Sequence, residues 1–477
     1  MKSRTLAWIT GVALFTALAM PVRIVAQEQH QAEHPPHYAV TDLGPTGNPF
    51  SQAASVSNFG LVTGSDTAPD GTSHAVLWYH GRITDISEPG LGGPNSGAGG
   101  ANAFGLVMGG AETSRKDPNN ENFCGYDAGL QCLAFLWQFG VMAPLPTLGG
   151  TNAGWGAIND LGEVAGYAEK SNEDPDCPGT KAVNGDGPQV LYFEAVIWGP
   201  RPGEIRELSP LPGDTVGIAL GLNDAGQAVG ISGTCANTVL PGPAEGAHAV
   251  LWDSDGSVHD LGSFGGTANP AVLAAGNAAT AINNLGQVTG ASVLPESKSA
   301  PCLGVPPGSA DPPCFPFHPF LWSRENGLQD LGVLPGDFVA AGLGINNEGE
   351  VVGASTSSPG AAMGSNRAFL WRNGVMSDLN ALALDSPLYL LIAFAINDLG
   401  QIAGFGVQTS TGDVHAFLAT PCDRNNADTE GCRTDDPDGT AVEGDETTER
   451  PRPVLSEGAR KLLQQQLGRR YHIGGSR

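Results

Sequence analysis

The chain has 477 residues, of which 68 are Gly and 36 are Pro, and only 15% are charged. Its 49 acidic residues against 23 basic ones leave a net charge of −26. That charge repels phosphate backbones and anionic headgroups, so nucleic acid and membrane surfaces are not the expected partners.

Lys2 and Arg4 precede an apolar run from Leu6 to Met20, and small residues suit cleavage after Ala26 or Ala19. Residues 1–26 therefore read as a signal peptide and 27–37 as a linker. The run is too short and interrupted for a membrane span, and no second one follows. The expectation is a secreted or periplasmic protein. The segment His30-Gln-Ala-Glu-His34 has the spacing of a zinc-binding helix, but Pro35-Pro36 would break such a helix, so no metal is assigned to it.

From residue 38 onward, Gly and Pro punctuate short apolar runs, as in an all-β protein rich in turns. A first motif then recurs seven times. It opens at Ser57, Asn102, Asn159, Asn223, Asn283, Asn346 and Asn397, each followed three positions later by Gly and then by a short strand such as LVTG or EVVG. Asn or Ser first and Gly fourth fit a type I turn closed by a left-handed residue. A second motif alternates with it: an apolar strand such as AVLW or AFLW, in which six of the eight Trp occupy the last position. A turn Gly follows, then a third strand such as RITDIS from Arg82 or SVHDL from Ser257. The segment entering each Asn turn is rich in Ala and Gly. Each unit thus has four short strands, A to D, with the Asn turn joining A to B. The spacing between turns wanders over 45, 57, 64, 60, 63 and 51 residues, as expected for a fixed sheet with variable loops.

The ends of the array are complementary. Tyr38-AVTDLG is a D strand with no unit before it, and His415-AFLATP is a C strand with no D after it. Pairing the two completes seven blades and removes the free edges of an open array. The predicted fold is an all-β, seven-bladed β-propeller over residues 38–421, with strand A innermost. An open β-solenoid is the alternative, and it would not need complementary ends.

At His415-Ala416-Phe417, and at its relatives AFLW and AVLW, the chain resembles the HAF-repeat family of extracellular proteins. The resemblance covers about residues 38–421 and implies an exported repeat protein, with no catalytic residue or cofactor to carry over. Departures are Ser57 for Asn, Ala419 for Trp, and Leu133, Glu194 and Arg367 in place of the motif His.

In such a meander the B–C and D–A loops share one face. The long insertions are all B–C loops, about 110–132, 167–193, 231–247 and 291–317, and they hold Cys124, Cys132, Cys177, Cys235, Cys302 and Cys314. Eight Cys allow 105 pairings. The repeat register favours Cys124–Cys132, Cys302–Cys314 and Cys422–Cys432 as local loops and Cys177–Cys235 as a link between blades. His74, His248, His318 and His415 occupy one blade position, so they are spread around the ring and read as structural. The runs Asp253-SDG and Asn184-GDG offer oxygen ligands for calcium, yet Asp-Gly turns are ordinary hairpin chemistry, and no cofactor is assigned. Residues 422–449 are acidic and polar, and 454–472 fit a short basic helix, so 422–477 read as an acidic then basic tail, largely disordered, its helix solvated or transient, with docking to a partner or to the propeller itself as the sharper alternative. The functional expectation is a non-catalytic scaffold binding an extracellular protein or glycan through its insertion face. A propeller glycoside hydrolase or lyase, and a passive envelope or matrix protein, are the alternatives.

Overall fold

The computed structural model describes residues 36–45, 49–126, 128–177, 188–235, 247–265, 277–295, 316–357, 365–422, 432 and 450–462. Its strands, β1 to β28 in chain order, form seven four-stranded antiparallel sheets. Strand A of the blades is β2 (Ser51–Val56), β6 (Gly92–Ala101), β10 (Gly149–Ile158), β14 (Val216–Leu222), β18 (Ala278–Ile282), β22 (Val339–Ile345) and β26 (Leu388–Ile396). Each inner strand meets the inner strands on either side, which closes the ring. The fold is a seven-bladed β-propeller. The last blade is completed by β1 (Tyr38–Asp42), which pairs with β28 (Val414–Pro421) from Tyr38 opposite Pro421 to Asp42 opposite Phe417.

The repeated residues explain the repeated geometry. In every blade the Asn or Ser carbonyl accepts from the N–H of the Gly three residues on, as in Gly286 N to Asn283 O at 3.1 Å. That Gly has φ between 73° and 82°, the left-handed region a side chain disfavours. Every A strand also shifts register just before the turn, for example between Ala219 and Gly221 and between Ala279 and Ala281. This bulge drives an A-strand carbonyl toward strand B. The last Gly of the VVG-like run faces it: a Cβ at Gly230 would lie 1.9 Å from the Ile218 oxygen, and one at Gly290 2.0 Å from the Ala278 oxygen. The motif Gly is therefore required by backbone approach.

The core is divided among the blade interfaces. Ala165, Ile197 and Leu208 of blade 3 pack on Leu222, Val250 and Trp252 of blade 4, and corresponding clusters fill the other junctions. Four of the Trp at the end of strand C, Trp78, Trp198, Trp252 and Trp371, are buried in these layers. Trp198 and Trp252 also donate their indole N–H to the Pro146 and Ser209 carbonyls, each in the connection that leads from the preceding blade into its own.

The turns are tied to one another. The side chain of Asn283 accepts from Leu285 and Gln287 N–H at 3.1 and 2.9 Å, and its amide donates across the junction to the Asn346 carbonyl at 2.8 Å. The same donation runs from Asn102 to Asn159, Asn159 to Asn223, Asn223 to Asn283, Asn346 to Asn397 and Asn397 to Ser57. A second series follows the next residue, whose backbone N–H donates to the side chain one blade on, as from Asp224 to Asn284. Blade 1 to blade 2 is the exception in both. Ser57 has no amide to donate, and Ala103 has no side-chain acceptor.

Candidate functional site

The insertion face is set by blades 2, 3 and 4. In blade 2, β7 (Val107–Lys116) runs into a turn fixed by Asp117, whose carboxylate accepts from Asn119 N–H at 2.8 Å, before the chain returns as β8 (Leu130–Gln138). Cys124 and Cys132 are bridged within this loop. Cys177 and Cys235 are bridged between blades 3 and 4, and Cys422 and Cys432 beyond the last strand. The pair Cys302 and Cys314, and the run from Asn184, lie outside the described residues. Phe123 is buried beneath the first bridge against Tyr167, with ring centroids 5.2 Å apart, and Tyr167 meets Phe193 in turn.

Beside this cluster lies a buried polar network that joins the blade 2 insertion to blade 3. Glu121 comes from the insertion, Asn152 from β10, Glu169 from β11 (Val164–Glu173), and Gln189 from the approach to β12 (Leu191–Trp198). All four are at most 1% exposed. Glu121 accepts from Val190 and Leu191 N–H at 2.7 and 3.1 Å, which anchors the insertion to the start of β12. Glu169 accepts from Asn152 N–H at 2.8 Å, and Asn152 donates its amide to Asp117 at 2.8 Å while accepting from Cys132 N–H at 2.9 Å. The Gln189 amide lies between the two glutamates at 3.3 and 3.1 Å. Burial, and then the charge of Glu121, holds the Glu169 carboxyl well above the usual carboxylate range. Burial also raises Glu121, against the lowering effect of the Val190 and Leu191 N–H groups. Each carboxyl is thus raised by burial, and the charge of Glu121 adds to the rise at Glu169. This network ties loops together. Its carboxyls are closed to solvent.

The sequence reading did not reach this network. Its signal is the position seven residues after the turn Gly, which is Glu112 in blade 2 and Glu169 in blade 3, but Thr67, Gly233, Val293, Thr356 and Val407 elsewhere. Glu112 is likewise buried and is bonded by Asn95 at 2.7 Å, with burial raising its carboxyl.

The four motif His each pair with the D-strand Asp of their own blade. His74 Nδ1 is 2.7 Å from Asp85, His248 3.1 Å from Asp260, His318 2.9 Å from Asp330 and His415 2.8 Å from Asp42. Where the His is replaced, its partner or surroundings change with it. Arg367 bridges Asp378 and Asp337, Glu194 shares Lys170 with Glu207, and Leu133 has Pro144 at the corresponding position of strand D. These His are cross-strand clasps, and the structure does not bring them together. Asp253, in the proposed calcium run, accepts from Arg324, Gln227 and His259. Among the described residues the grouping with metal-ligand spacing is Asp174, Cys177 and Cys235, and both sulfurs are taken by the disulfide.

Part of the tail returns to this same face. Arg450 donates to the Ala383, Ser386 and Leu388 carbonyls. Ser456 N–H donates to the Gly412 carbonyl at 2.8 Å, and its hydroxyl accepts from Ala459 N–H at 3.1 Å as a cap. Ala459 is fully buried, and Leu455 and Leu462 pack with it on Phe50, Tyr389 and Phe405.

No family model matches the chain, and no curated protein matches it. Solved structures match it at low identity. One is a puromycin hydrolase, 14% identical over 80% of this chain and 54% of its own, with a TM-score of 0.44. Another is dipeptidyl peptidase 4 of Porphyromonas gingivalis, 12% identical over 76% of this chain and 50% of its own, with a TM-score of 0.38. A third is a lectin of Aleuria aurantia, 12% identical over 81% of this chain and 98% of its own, with a TM-score of 0.28. The chain spans about half the length of the hydrolase and the peptidase. Its disulfides belong to an oxidising environment. Among the described residues no helix is long and apolar enough to cross a membrane.

Proposed function

We propose that the protein is an exported, non-catalytic scaffold that binds an extracellular protein or glycan through the insertion face of blades 2 to 4. The observation that carries this reading is the contrast between the two faces. One is made of seven near-identical turns. The other carries non-repeating insertions, whose described residues are braced by two disulfides and by the Glu121–Glu169 network. Loops held rigid by a framework lose little entropy on binding, which is how scaffolds present recognition surfaces. The reading accords with the HAF-repeat resemblance, and export accords with the disulfides.

The test is a glycan array and an extracellular-protein binding screen with the exported chain and a variant in which the four B–C insertions are trimmed to short turns. Saturable binding that is lost on trimming is the expected result. Binding that survives trimming would move the site elsewhere. The absence of any saturable ligand would favour a passive envelope or matrix component.

A further inference from the structure

The face opposite the insertions has its own organisation. The third position of the seven turns is, in ring order, Phe59, Phe104, Leu161, Ala225, Leu285, Glu348 and Leu399. The five large apolar side chains are between 60% and 72% exposed. Single exposed apolar residues are normal, but an aligned set marks an interaction surface. Adjacent turns are hydrogen-bonded to one another at every junction but one, and the inner strands meet at that one too. The turns that carry Leu399, Phe59, Phe104, Leu161, Ala225 and Leu285 are therefore successive neighbours around the ring, an arc in which the small Ala225 stands between larger side chains. Beside it stand Asp160, Asp224 and Asp398, and none of these seven turns carries a Lys or Arg; the Arg residues of this face, such as Arg82, Arg201, Arg324 and Arg372, belong to the C–D connections further out, where Arg324 is paired with Asp253 and Arg372 with Glu350. The complement of this surface is apolar and cationic.

The chain itself contains such a segment. Residues 458–477 include Arg460, Lys461, Arg469, Arg470 and Arg477 with no Asp or Glu, and they also carry Leu463, Leu467, Tyr471 and Ile473. Residues 463–477 lie outside the described residues, but their root is fixed on the insertion face by the buried Ala459 and the bonds of Ser456. Fifteen residues reach at most about 50 Å when fully extended. The route around the blade to the molecule's own turns crosses three strand spacings outward, descends a strand of up to ten residues and returns, roughly 60 Å in all. The turn face of a second copy is under no such limit.

We propose that residues 463–477 of one copy dock on the apolar arc and acidic turns of the next, joining copies head to tail. Such a contact uses two different surfaces, so it builds rings or filaments, and does not stop at a symmetric pair.

Sedimentation velocity of the full chain over a concentration series tests this. Association is expected to rise with concentration, weaken with added salt, and vanish when residues 463–477 are deleted. A synthetic peptide of residues 460–477 should bind the deleted protein, and L161S/L285S, both at exposed positions, should weaken that binding at least about tenfold. A circular dichroism spectrum like that of the parent shows that the variant is folded. A full chain that stays monomeric, association that survives deletion of the tail, or peptide binding indifferent to L161S/L285S would each overturn the proposal. So would capture of the tail-deleted protein by phosphatidylcholine vesicles through the same leucines without peptide binding, which would make the arc a lipid surface.

Discussion

Asn283 allows the two roles of the turn residue to be separated. Its carbonyl oxygen accepts from Leu285 and Gln287 N–H within the turn, and its amide donates to the Asn346 carbonyl of the next blade. Asn283→Ser keeps an acceptor, as Ser57 does at 3.3 and 3.2 Å, and loses the amide, which donates both to the Asn346 carbonyl and to Gln287 Oε1 at 2.8 Å. Asn283→Ala loses both. One net hydrogen bond contributes about 1 kcal/mol, and a buried group left unpaired costs about 1–3 kcal/mol, so we expect about 1–2 kcal/mol for Ser and about 3–4 kcal/mol for Ala. With about 2.1 cal/mol/K per residue over roughly 384 ring residues, these correspond to about 2 °C and about 4–5 °C in Tm. Urea midpoints at constant m-value give the comparison directly. The reverse change, Ser57→Asn, restores a donor facing the Asn102 carbonyl and should stabilise by about 1 kcal/mol. If Asn283→Ser were as stable as the parent, and Ser57→Asn gained nothing, the donation between blades would not hold the ring.

Three further outcomes are expected. Deleting Tyr38–Gly44, or substituting Asp42→Ala, removes or weakens the seam to β28 and its clasp on His415, and thermal unfolding should shift downward, far more for the deletion. Glu194 is pushed up to about 7 by burial, with the Lys170 ammonium opposing that rise. A raised carboxyl pKa favours the folded state at low pH, so stability should decline as pH rises from about 4.5 to 7, with release of about one proton, and Glu194→Gln should flatten that slope in urea titrations at several pH values. Gly230→Ala places a Cβ against the Ile218 carbonyl and should abolish soluble expression or cost several times what Gly203→Ala does, since Gly203 has open space and only its left-handed φ of 78° to resist the change.

The ring was legible because its determinants are local and repeated. The Asn and Gly of each turn fix four residues, the period-two strands follow, and the unpaired strands at Tyr38 and His415 reveal the closure. The bulge in strand A was not legible, although its mark, the last Gly of each VVG-like run, was in view: that Gly answers to a carbonyl on another strand. The His row showed a position but not a partner, because the paired Asp lies 11 or 12 residues on in three blades and 373 residues away for His415. The Glu121–Glu169 network left the weakest trace, since it joins residues of two blades that share no motif. The packing of Ala459 on the propeller goes against the solvated helix that the tail's sequence suggests first, and the anchoring of Arg450 was not legible, because a short basic segment does not by itself declare which surface it meets.

The seam between β1 and β28 also fixes the order of events during folding. The strand synthesised first in the ring has no sheet to join until the strand synthesised last is available. Six blades can form as they emerge, each from neighbours close in sequence, but the seventh waits on a pairing that spans the whole array. Contacts of such long separation form slowly. Until then β1 is a bare edge of five residues, short and ending in Asp42, and therefore a poor template for pairing with other chains. A chain cut before residue 414 would keep six complete sheets and lose the strand that joins the seventh to β1, leaving two open flanks.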